Sequence, residues 1–365
     1  MAIAVALVVI VVGSLLFHFL NPWQATPLAS NWQSMDDTLT ITFVITGLFF
    51  VVINLLLVYT VWRFRHRSGH KAAYAHDNKK LERWLIIGTS VGVAALLTPG
   101  LFVYARYVDP PADALVMEVV AQQWQWRFRF PGGGGKLGGT DTRFVKADNP
   151  FGLDPSDANG QDDVLVDATE VHLPLNRPVK VVARSHDALH DFYVPPFRAR
   201  MNIVPGQVSS FWFTPTQAGR FEALCAQLCG VGHPNMRGVV VVEDEAAFLA
   251  WLQRQPTFAR SQALARANAD TPAARGRALA QAKACLGCHS VDGNASAGPT
   301  WKGLFGRNEA LADGSSVKVD DTYLRHAIRE PQAQVVKGFA NIMPPTPLSD
   351  EEVAQIVAYI KSLGG

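Results

Sequence analysis

The chain has 365 residues, enough for two or three domains. Its formal net charge is only +2, which does not indicate a nucleic-acid partner. Charged residues make up 18% of the sequence and hydrophobic residues 48%, a balance that favours a membrane protein.

Two apolar segments predict a membrane-spanning helical hairpin. Residues 38–62 and 84–105 contain no charged side chain, and each is longer than the ~20 residues that cross a bilayer as a helix. The connecting residues 63–83 are rich in Arg and Lys, which keeps such a short loop in the cytoplasm. Everything after Tyr107 is therefore expected on the outer side of the membrane.

The first apolar segment, residues 2–20, leaves two interpretations open. It is apolar enough to span a bilayer, but no Lys or Arg precedes it, unlike the start of most signal peptides. Residues 25–30 contain small side chains but no clear cleavage pattern. The segment is either a retained third helix or the apolar core of a signal peptide, and we expect the helix.

From residue 115 the pattern becomes that of β-strands. Residues 123–130 alternate strictly between polar and aromatic side chains, which predicts one continuous strand over 115–130 with one aromatic face. An irregular loop follows over 144–161 and a short helix is predicted over 246–253. Short strands at such spacing indicate a β-sandwich or barrel. The further predicted strands are 164–168, 179–185, 208–214, 219–224 and 238–242.

The C-terminal part is predicted to be small and helical. Thr271 followed by Pro272 is typical of a helix start, and this helix leads toward Cys285. A second helix is predicted over 321–329, and residues 349–352 form a capping box that opens a last helix over 351–363. The predicted domains are a membrane anchor (1–110), a β domain (111–254), a partly helical linker (255–270) and a helical domain (271–365).

All four cysteines lie in two motifs of metal-ligand type. The first reads Cys225-Ala-Gln-Leu-Cys229-Gly-Val-Gly-His233-Pro-Asn-Met236. The second, Cys285-Leu-Gly-Cys288-His289, is the attachment sequence of a c-type haem and favours an extracytoplasmic location. Two disulfides in an exported protein are the alternative, but they leave the neighbouring His and Met residues without a role.

The first motif supplies the ligand types of electron-transfer copper, namely thiolate, imidazole and a weak thioether. Two cysteines four residues apart can bridge a pair of copper ions. A second imidazole must then come from residues 185–195, which contain His186 and His190. A zinc site with two Cys and two His is the alternative, but it leaves Met236 and His190 without a role.

On these residues the chain resembles subunit II of the haem–copper oxidases. The family pattern is a His before an aromatic stretch ending in Pro, a Pro-Gly turn, and the Cys–Cys–His–Met motif. The resemblance covers most of residues 38–245 and implies a dinuclear copper centre, CuA, in a cupredoxin-like β-barrel. His186 matches no ligand position and is expected to be a polar loop residue. The implied copper ligands are His190, Cys225, the backbone carbonyl of Gln227, Cys229, His233 and Met236.

The same resemblance gives Trp124 a role in electron transfer. In the family the first Trp of a Gln-Trp-x-Trp stretch lies exposed over the copper centre and takes electrons from cytochrome c. Periodicity alone does not distinguish Trp124 from Trp126, since in one strand both side chains point the same way.

One departure from the family concerns a second metal. Many members have Glu at the position of Gln227 and Asp at that of Asn202, and these carboxylates help to hold Mg²⁺ at the boundary with subunit I. Copper ligation through a backbone carbonyl does not depend on the Gln227 side chain. A Mg²⁺ site, which requires carboxylates, is not expected here.

The second motif predicts covalently bound haem c. Cys285 and Cys288 would add to the haem vinyl groups, and His289 would be the proximal iron ligand. Met343, in Asn-Ile-Met-Pro-Pro, is the expected sixth ligand and would raise the iron potential. The rival ligand, His326, lies inside a predicted helix. The tail from residue 271 resembles a class I cytochrome c domain, with Trp301, Leu304 and Phe305 expected to pack against the haem.

Together these features imply subunit II of a caa3-type cytochrome c oxidase. Electrons would pass from cytochrome c or another periplasmic donor through haem c and CuA to haem a of subunit I, whose haem a3–CuB site reduces O2 with proton translocation. The implied partners are subunits I and III and membrane lipid, in a multi-pass protein of the bacterial cytoplasmic membrane. A CuA-containing nitric oxide reductase subunit and a membrane-tethered electron carrier remain alternatives. A quinol oxidase subunit is disfavoured by the complete ligand set.

Overall fold

The computed structural model describes residues 2–20, 26–69, 71, 77–146, 148–268, 271–293 and 296–364. Four predictions fall partly outside these residues: the first residue of the candidate cleavage region, residues 70 and 72–76 of the basic loop, residue 147 of the predicted irregular loop, and the last two residues of the linker. The chain divides into two compact units, Met1–Asp109 and Pro110–Gly365.

The first unit consists of three apolar helices, α1 (Ala2–Leu20), α2 (Gln33–Arg63) and α3 (Lys79–Tyr107). All three are long and apolar enough to cross a membrane. The two helices of the predicted hairpin are confirmed, and both extend beyond their uncharged segments. Helix α1 lies against α2 along a groove lined by Ala4 and Trp62, among others. Residues 2–20 thus form a helix, while their retention stays a prediction.

The second unit begins with two five-stranded sheets. The first has the order β3-β2-β1-β5-β8 and the second β4-β10-β9-β6-β7. Within them β1 is parallel to β5 and β4 to β10, and the other neighbours are antiparallel. The strands are β1 (Leu115–Gln122), β2 (Gln125–Phe130), β3 (Val164–Val166), β4 (Glu170–Pro174), β5 (Val179–Ser185), β6 (His190–Val194), β7 (Ala199–Ile203), β8 (Ser209–Phe213), β9 (Gly219–Cys225) and β10 (Arg237–Glu243).

The core lies between these two sheets. Phe192 of the second sheet contacts Trp126 and Phe128 of the first edge-on, with ring centroids 5.3 and 6.3 Å apart. All three side chains are buried, and such edge-to-face packing of aromatic rings stabilises a core beyond the area that it buries. The predicted cupredoxin-like β domain is therefore confirmed.

The prediction of one strand over 115–130 is wrong, because β1 and β2 form a hairpin. Gln122 pairs with Gln125, so Gln123 and Trp124 are the two-residue turn. A two-residue turn preserves the period-2 alternation, and this one lacks Gly, Pro or Asn, so the pattern gave no sign of it. Trp126 is buried in the core, whereas Trp124 is half-buried at the turn, and the two side chains are not equivalent.

The rest of the second unit is largely helical. Thr271 caps α6, and Ser349 with Glu352 forms the capping box of α8, as predicted. A short two-stranded sheet, which the sequence did not predict, shows that the C-terminal domain is not entirely helical. The elements are α4 (Glu245–Arg254), α5 (Phe258–Asn268), α6 (Pro272–Ala282), β11 (Asn308–Ala310), β12 (Ser316–Lys318), α7 (Asp321–Arg329) and α8 (Asp350–Ser362).

Helices α6 and α8 cross closely at Gly276. A methyl group on Gly276 would lie 1.8 Å from the carbonyl oxygen of Gln355, so only glycine permits this crossing. Helix α5 falls within the predicted linker, but its first residue, Phe258, is buried against Phe151 and Leu165 of the β domain. The start of the linker thus packs on the β domain, and the exact domain limits stay a prediction.

Candidate metal centres

The six predicted copper ligands converge at one end of the second sheet. His190 is the first residue of β6 and Cys225 the last of β9, two strands that pair with each other. The loop from β9 to β10 carries the remaining donors. Its ends are held together because Cys225 N–H donates to the carbonyl of Met236 at 3.1 Å. The sheet therefore fixes both ends of the loop that contains Cys229 and His233.

The two thiols lie at the middle of the cluster, with their sulfur atoms 3.8 Å apart. Cys225 Sγ is 3.9 Å from Nδ1 of His190, and Cys229 Sγ is 3.6 Å from Nδ1 of His233. The two weaker donors are also divided between the thiols, one beside each sulfur atom. The carbonyl oxygen of Gln227 lies 3.2 Å from Cys225 Sγ, and Met236 Sδ lies 4.0 Å from Cys229 Sγ. Each thiol thus has one imidazole and one weak donor beside it.

Burial and hydrogen bonding act in opposite directions on the two thiols. Burial raises the pKa of the Cys225 thiol, but hydrogen bonds from His190 and the backbone outweigh it and lower this pKa. Burial and the neighbouring Cys225 thiolate raise the pKa of Cys229. The environment therefore favours the thiolate form of Cys225 over that of Cys229, and the positive charge of a bound metal would stabilise both thiolates.

Asp187, to which the sequence reasoning gave no role, holds His190 in place. The Nε2–H of His190 donates to Asp187 Oδ1 at 2.9 Å, which leaves Nδ1 directed at the thiols. The other carboxylate oxygen accepts the backbone N–H of Gln123 at 2.7 Å. A carboxylate behind a metal-binding imidazole fixes the ring and raises its basicity. An Asp three residues before the ligand was the signal that could have revealed it.

Trp124 contacts the copper loop directly. Its Nε1–H donates to the carbonyl of Cys229 at 3.1 Å, and Gln123 Nε2 donates to the same oxygen at 2.8 Å. A methyl group on Gly232 would lie 2.3 Å from the indole, so the ring packs flat against this part of the loop. The structure therefore places Trp124, the residue predicted to transfer electrons, against the copper ligands, half-buried rather than exposed.

The region of the missing carboxylates contains an acidic residue that the sequence reasoning overlooked. Asp191 pairs with Asn202 across β6 and β7, so the two side chains share one face. Asp191 is buried, and its Oδ2 accepts from Arg200 Nε at 2.8 Å. Among the described residues Asp191 Oδ1 has no hydrogen-bond partner. The carboxylate directly opposite Asn202 is thus already paired with a guanidinium.

In the second motif, Cys285 and Cys288 flank a single turn of 3₁₀ helix and are half-buried. The ring of His289 is held by its Nδ1–H, which donates to the carbonyl of Pro299 at 2.8 Å and leaves Nε2 for a metal. A methyl group on Gly298 would lie 2.7 Å from this ring, so glycine is required there. Burial lowers the pKa of His289 and keeps it neutral, as metal ligation requires.

Three residues predicted to pack against the haem belong to one hydrophobic core: Trp301, Leu304 and Phe305. Trp301 stacks on His289 with ring centroids 5.1 Å apart, and it is buried together with Leu304. Phe305 packs against the same core. Met343 lies half-buried in the irregular segment between α7 and α8, and its role as the sixth ligand stays a prediction.

The two histidines set aside from the sequence lie away from the ligand clusters. His326 lies on α7, 41% exposed and 3.6 Å from the carboxylate of Glu330. His186 lies in the loop after β5, where it hydrogen-bonds to the carbonyl of Pro150. The donor types that do converge fit the two groups: soft sulfur and imidazole donors suit copper, and an oriented imidazole beside two thiols suits haem c.

Comparisons with known proteins point to the same two groups. Residues 115–244 match the family described as the periplasmic domain of cytochrome c oxidase subunit II, and residues 273–364 match the cytochrome c family. Over 259 residues the chain is 52% identical to the alternative cytochrome c oxidase subunit 2 of Bradyrhizobium diazoefficiens. That match covers 71% of this chain and 94% of the relative.

Two more distant matches extend the comparison. The cytochrome c oxidase subunit 2 of Alkalihalophilus pseudofirmus is 24% identical over 347 residues, covering 92% of this chain and 89% of the relative. A crystal structure of the periplasmic domain of cytochrome oxidase subunit II of Bradyrhizobium japonicum is 23% identical, with a TM-score of 0.29. It covers 40% of this chain and 94% of that domain. The family matches imply a copper centre and a haem.

Proposed function

Because this chain belongs to the cytochrome c oxidase subunit II family, we propose that it is the electron-delivery subunit of a caa3-type oxidase. It would pass electrons from a donor, through haem c and dinuclear CuA, to haem a of subunit I. The reduction of O2 and the coupled proton translocation would take place in subunit I. The observation that best supports this proposal is the presence of six converging copper donors and a C-x-x-C-H motif in one compact unit.

The arrangement of donors favours two copper ions over one metal. Two thiols 3.8 Å apart, each with its own imidazole and its own weak donor, match two ions that share both sulfur atoms. A single tetrahedral zinc would use two Cys and two His and leave the Gln227 carbonyl and Met236 unused. A dinuclear centre supplies one-electron transfer with the unpaired electron shared between two metals, so little structural change accompanies each electron.

The protein around the donors keeps this geometry fixed. His190, Cys225, Cys229 and Met236 are all at most 8% exposed, which excludes water from the thiols. Asp187 fixes the imidazole of His190 from behind. Gln123 and Trp124 hold the carbonyl of Cys229. Ligands that are buried and bonded in this way need little rearrangement when the charge of the site changes.

In the haem domain, the chain contributes orientation and attachment. Pro299 fixes the ring of His289 so that Nε2 is available to the iron, while Cys285 and Cys288 on either side of one turn would form the two thioether bonds. Met343 would supply the sixth ligand. Haem c held between His and Met has a high potential, which suits an electron carrier.

Membrane anchoring and outer-side domains follow from the three apolar helices and the periplasmic family match. We assign the anchor to the bacterial cytoplasmic membrane, in contact with lipid. As an oxidase subunit the chain assembles with other oxidase subunits. Subunits I and III, and cytochrome c or another periplasmic protein as donor, are the proposed partners.

The test is a metal and activity analysis of the purified complex. We expect two copper ions for each haem c in this chain, a mixed-valence copper spectrum in electron paramagnetic resonance, haem a, and reduction of O2. Reduction of NO but not O2 would instead identify a nitric oxide reductase subunit. A chain that purifies without any haem a protein would be a membrane-tethered carrier, and one bound zinc would contradict the copper assignment.

A further inference from the structure

Polar contacts join the haem domain to the β domain on one side of the sandwich. Arg277 Nη2 of α6 donates to Asp167 Oδ2 at 3.0 Å. Thr169 Oγ1 donates to Asp292 Oδ2, in the loop after the haem motif, at 3.1 Å. Asp167 and Thr169 lie between β3 and β4, close in sequence, so together they hold two separate parts of the haem domain.

The haem motif also lies close to the β domain at Gly287, between the two cysteines of the motif. A methyl group on Gly287 would lie 3.2 Å from the carbonyl oxygen of Gln123 and 3.2 Å from both the backbone nitrogen and ring atom Cε3 of Trp124. The other edge of that indole donates to the carbonyl of Cys229. Trp124 therefore lies between the haem-attachment loop and the copper loop and contacts both.

Contacts within the β domain hold the carboxylate of Asp167 in position to pair with a cation from the haem domain. Its Oδ1 accepts from Arg127 Nε at 2.7 Å, and Arg127 is only 1% exposed and also donates to Gln122 Oε1. Burial raises the pKa of Asp167, but the guanidiniums of Arg127 and Arg277 outweigh it and lower this pKa, so the carboxylate stays ionised. The β domain thus fixes one half of the contact, and Arg277 completes it.

Part of the boundary between the domains is open. A cleft of about 510 Å³ lies there, lined by residues such as Arg237 and Asn235 of the β domain and Ser290 and Tyr359 of the haem domain. Interfaces of this kind, with polar contacts around a cleft, permit domain motion unless specific contacts prevent it. The contacts described above therefore help to hold the haem domain in this position.

We propose that Asp167 and Arg277 position the chain's own haem domain on Trp124, so that Trp124 receives electrons from that domain and a soluble donor binds the haem domain instead. The inference rests on the proposed function. In each event one electron leaves the haem iron, which goes from Fe(II) to Fe(III), and the copper centre is reduced by one electron. No bond forms or breaks. A soluble cytochrome cannot contact the side of Trp124 that Gly287 covers.

The experiment compares Arg277→Gln with Arg329→Gln in the intact complex. Arg329 pairs with Asp350 inside the haem domain, so its loss removes an ion pair without affecting the contact between domains. Hydrogen exchange over residues 122–126 and 285–292 reports docking whether or not metals are bound. The rate of electron transfer from haem c to copper after rapid photoreduction reports its consequence.

We expect Arg277→Gln to raise the exchange and to slow the electron transfer by about two- to fivefold, the range for a partly exposed ion pair. The haem c potential should not change, and Arg277→Lys should restore most of the rate. Gly287→Ala, which inserts a methyl group into the contact with Trp124, should slow the transfer by about tenfold. Because Gly287→Ala leaves Asp167 unchanged, this variant tests docking independently of the ion pair between Asp167 and Arg277.

The outcomes separate this inference from the proposed function. A wild-type complex without copper or haem c would contradict the proposed function, while the exchange measurement would still test docking. If both metals are present but Arg277→Gln and Gly287→Ala behave like Arg329→Gln, the inference is wrong.

Discussion

The copper cluster and the haem motif are assembled in opposite ways. The copper donors come from two strand ends and one loop, and the paired strands β6, β9 and β10 bring them together. In the haem motif, three candidate residues lie within five consecutive positions: Cys285, Cys288 and His289. The fourth candidate, Met343, lies in a distant segment without regular structure. The copper geometry is therefore preset by the sheet, whereas the haem site combines a local motif with one distant, less constrained residue.

This difference predicts how each site responds to the loss of one donor. In the proposed dinuclear centre both metals would share the two thiols, so the removal of either thiol should affect both metals. In the haem motif each ligand has a separate task, so the loss of Met343 should leave attachment intact. Four substitution experiments test the comparison.

The largest effect is expected for Cys225→Ser or Cys229→Ser. Either change removes one of the two thiols that the proposed dinuclear centre would share, so the mixed-valence copper signal should be lost completely while haem c remains attached. Electron paramagnetic resonance and the haem absorption spectrum of the purified complex measure the two outcomes. His186→Gln, a change at a loop residue outside the cluster, should leave the copper spectrum intact. A mononuclear copper spectrum in the wild-type protein would refute the two-metal assignment.

Met343→Ala should affect the haem alone. The loss of a sulfur ligand should lower the haem c potential by on the order of 0.1 V, a fraction of the roughly 0.8 V range that axial ligands span. The open coordination position should bind small ligands such as CO, while the thioether bonds persist. Redox titration and CO difference spectra measure this. The neighbouring, exposed Ile342→Ala is the control, and a Met343→Ala protein with wild-type potential would exclude Met343 as the ligand.

Asp187→Asn should weaken copper binding without removing any ligand. The amide still accepts one hydrogen bond from His190 but lacks the charge that orients and activates the imidazole, and second-sphere changes of this kind cost about 10- to 100-fold in metal affinity. We expect faster copper loss to a chelator, by about tenfold. Asp154→Asn, in a turn with Ser156, should not change the rate. Equal rates for the two variants would mean that Asp187 has only a structural role.

Features set by short local sequences were predicted well. The start of α6 after Thr271, the extent of α7 and the capping box of α8 all depend on neighbours along the chain. A side-chain cap or a fixed ligand spacing needs no knowledge of the rest of the fold.

Features that depend on tertiary contacts were missed. The hairpin turn at Gln123 and Trp124 was hidden because two residues do not change the phase of the alternation. Arg127 and Arg129 occupy the polar positions of β2 but are almost fully buried. Arg129 is paired with Glu118 of β1 and with Asp163. No pattern within β2 shows that a distant carboxylate will cover its outer face. The hydrogen bond from the backbone of Gln123 to Asp187 likewise depends on this turn, which the pattern did not show.

The smallest effect is expected at Asn202 and Gln227, where neutral side chains replace two carboxylates found in many family members. Asn202 and Gln227 are neutral, and the buried carboxylate opposite Asn202, that of Asp191, is already paired with Arg200.

A divalent cation there would lack the carboxylates that compensate its dehydration. We therefore expect that the complex purified after growth with Mn²⁺ contains no bound Mn²⁺ and has a normal copper content. Electron paramagnetic resonance of the complex measures both. The combined change Asn202→Asp and Gln227→Glu restores two carboxylates and should introduce a Mn²⁺ signal. A stoichiometric Mn²⁺ signal coupled to the copper centre in the wild-type protein would show that Asp191 or residues of another subunit provide the missing charge.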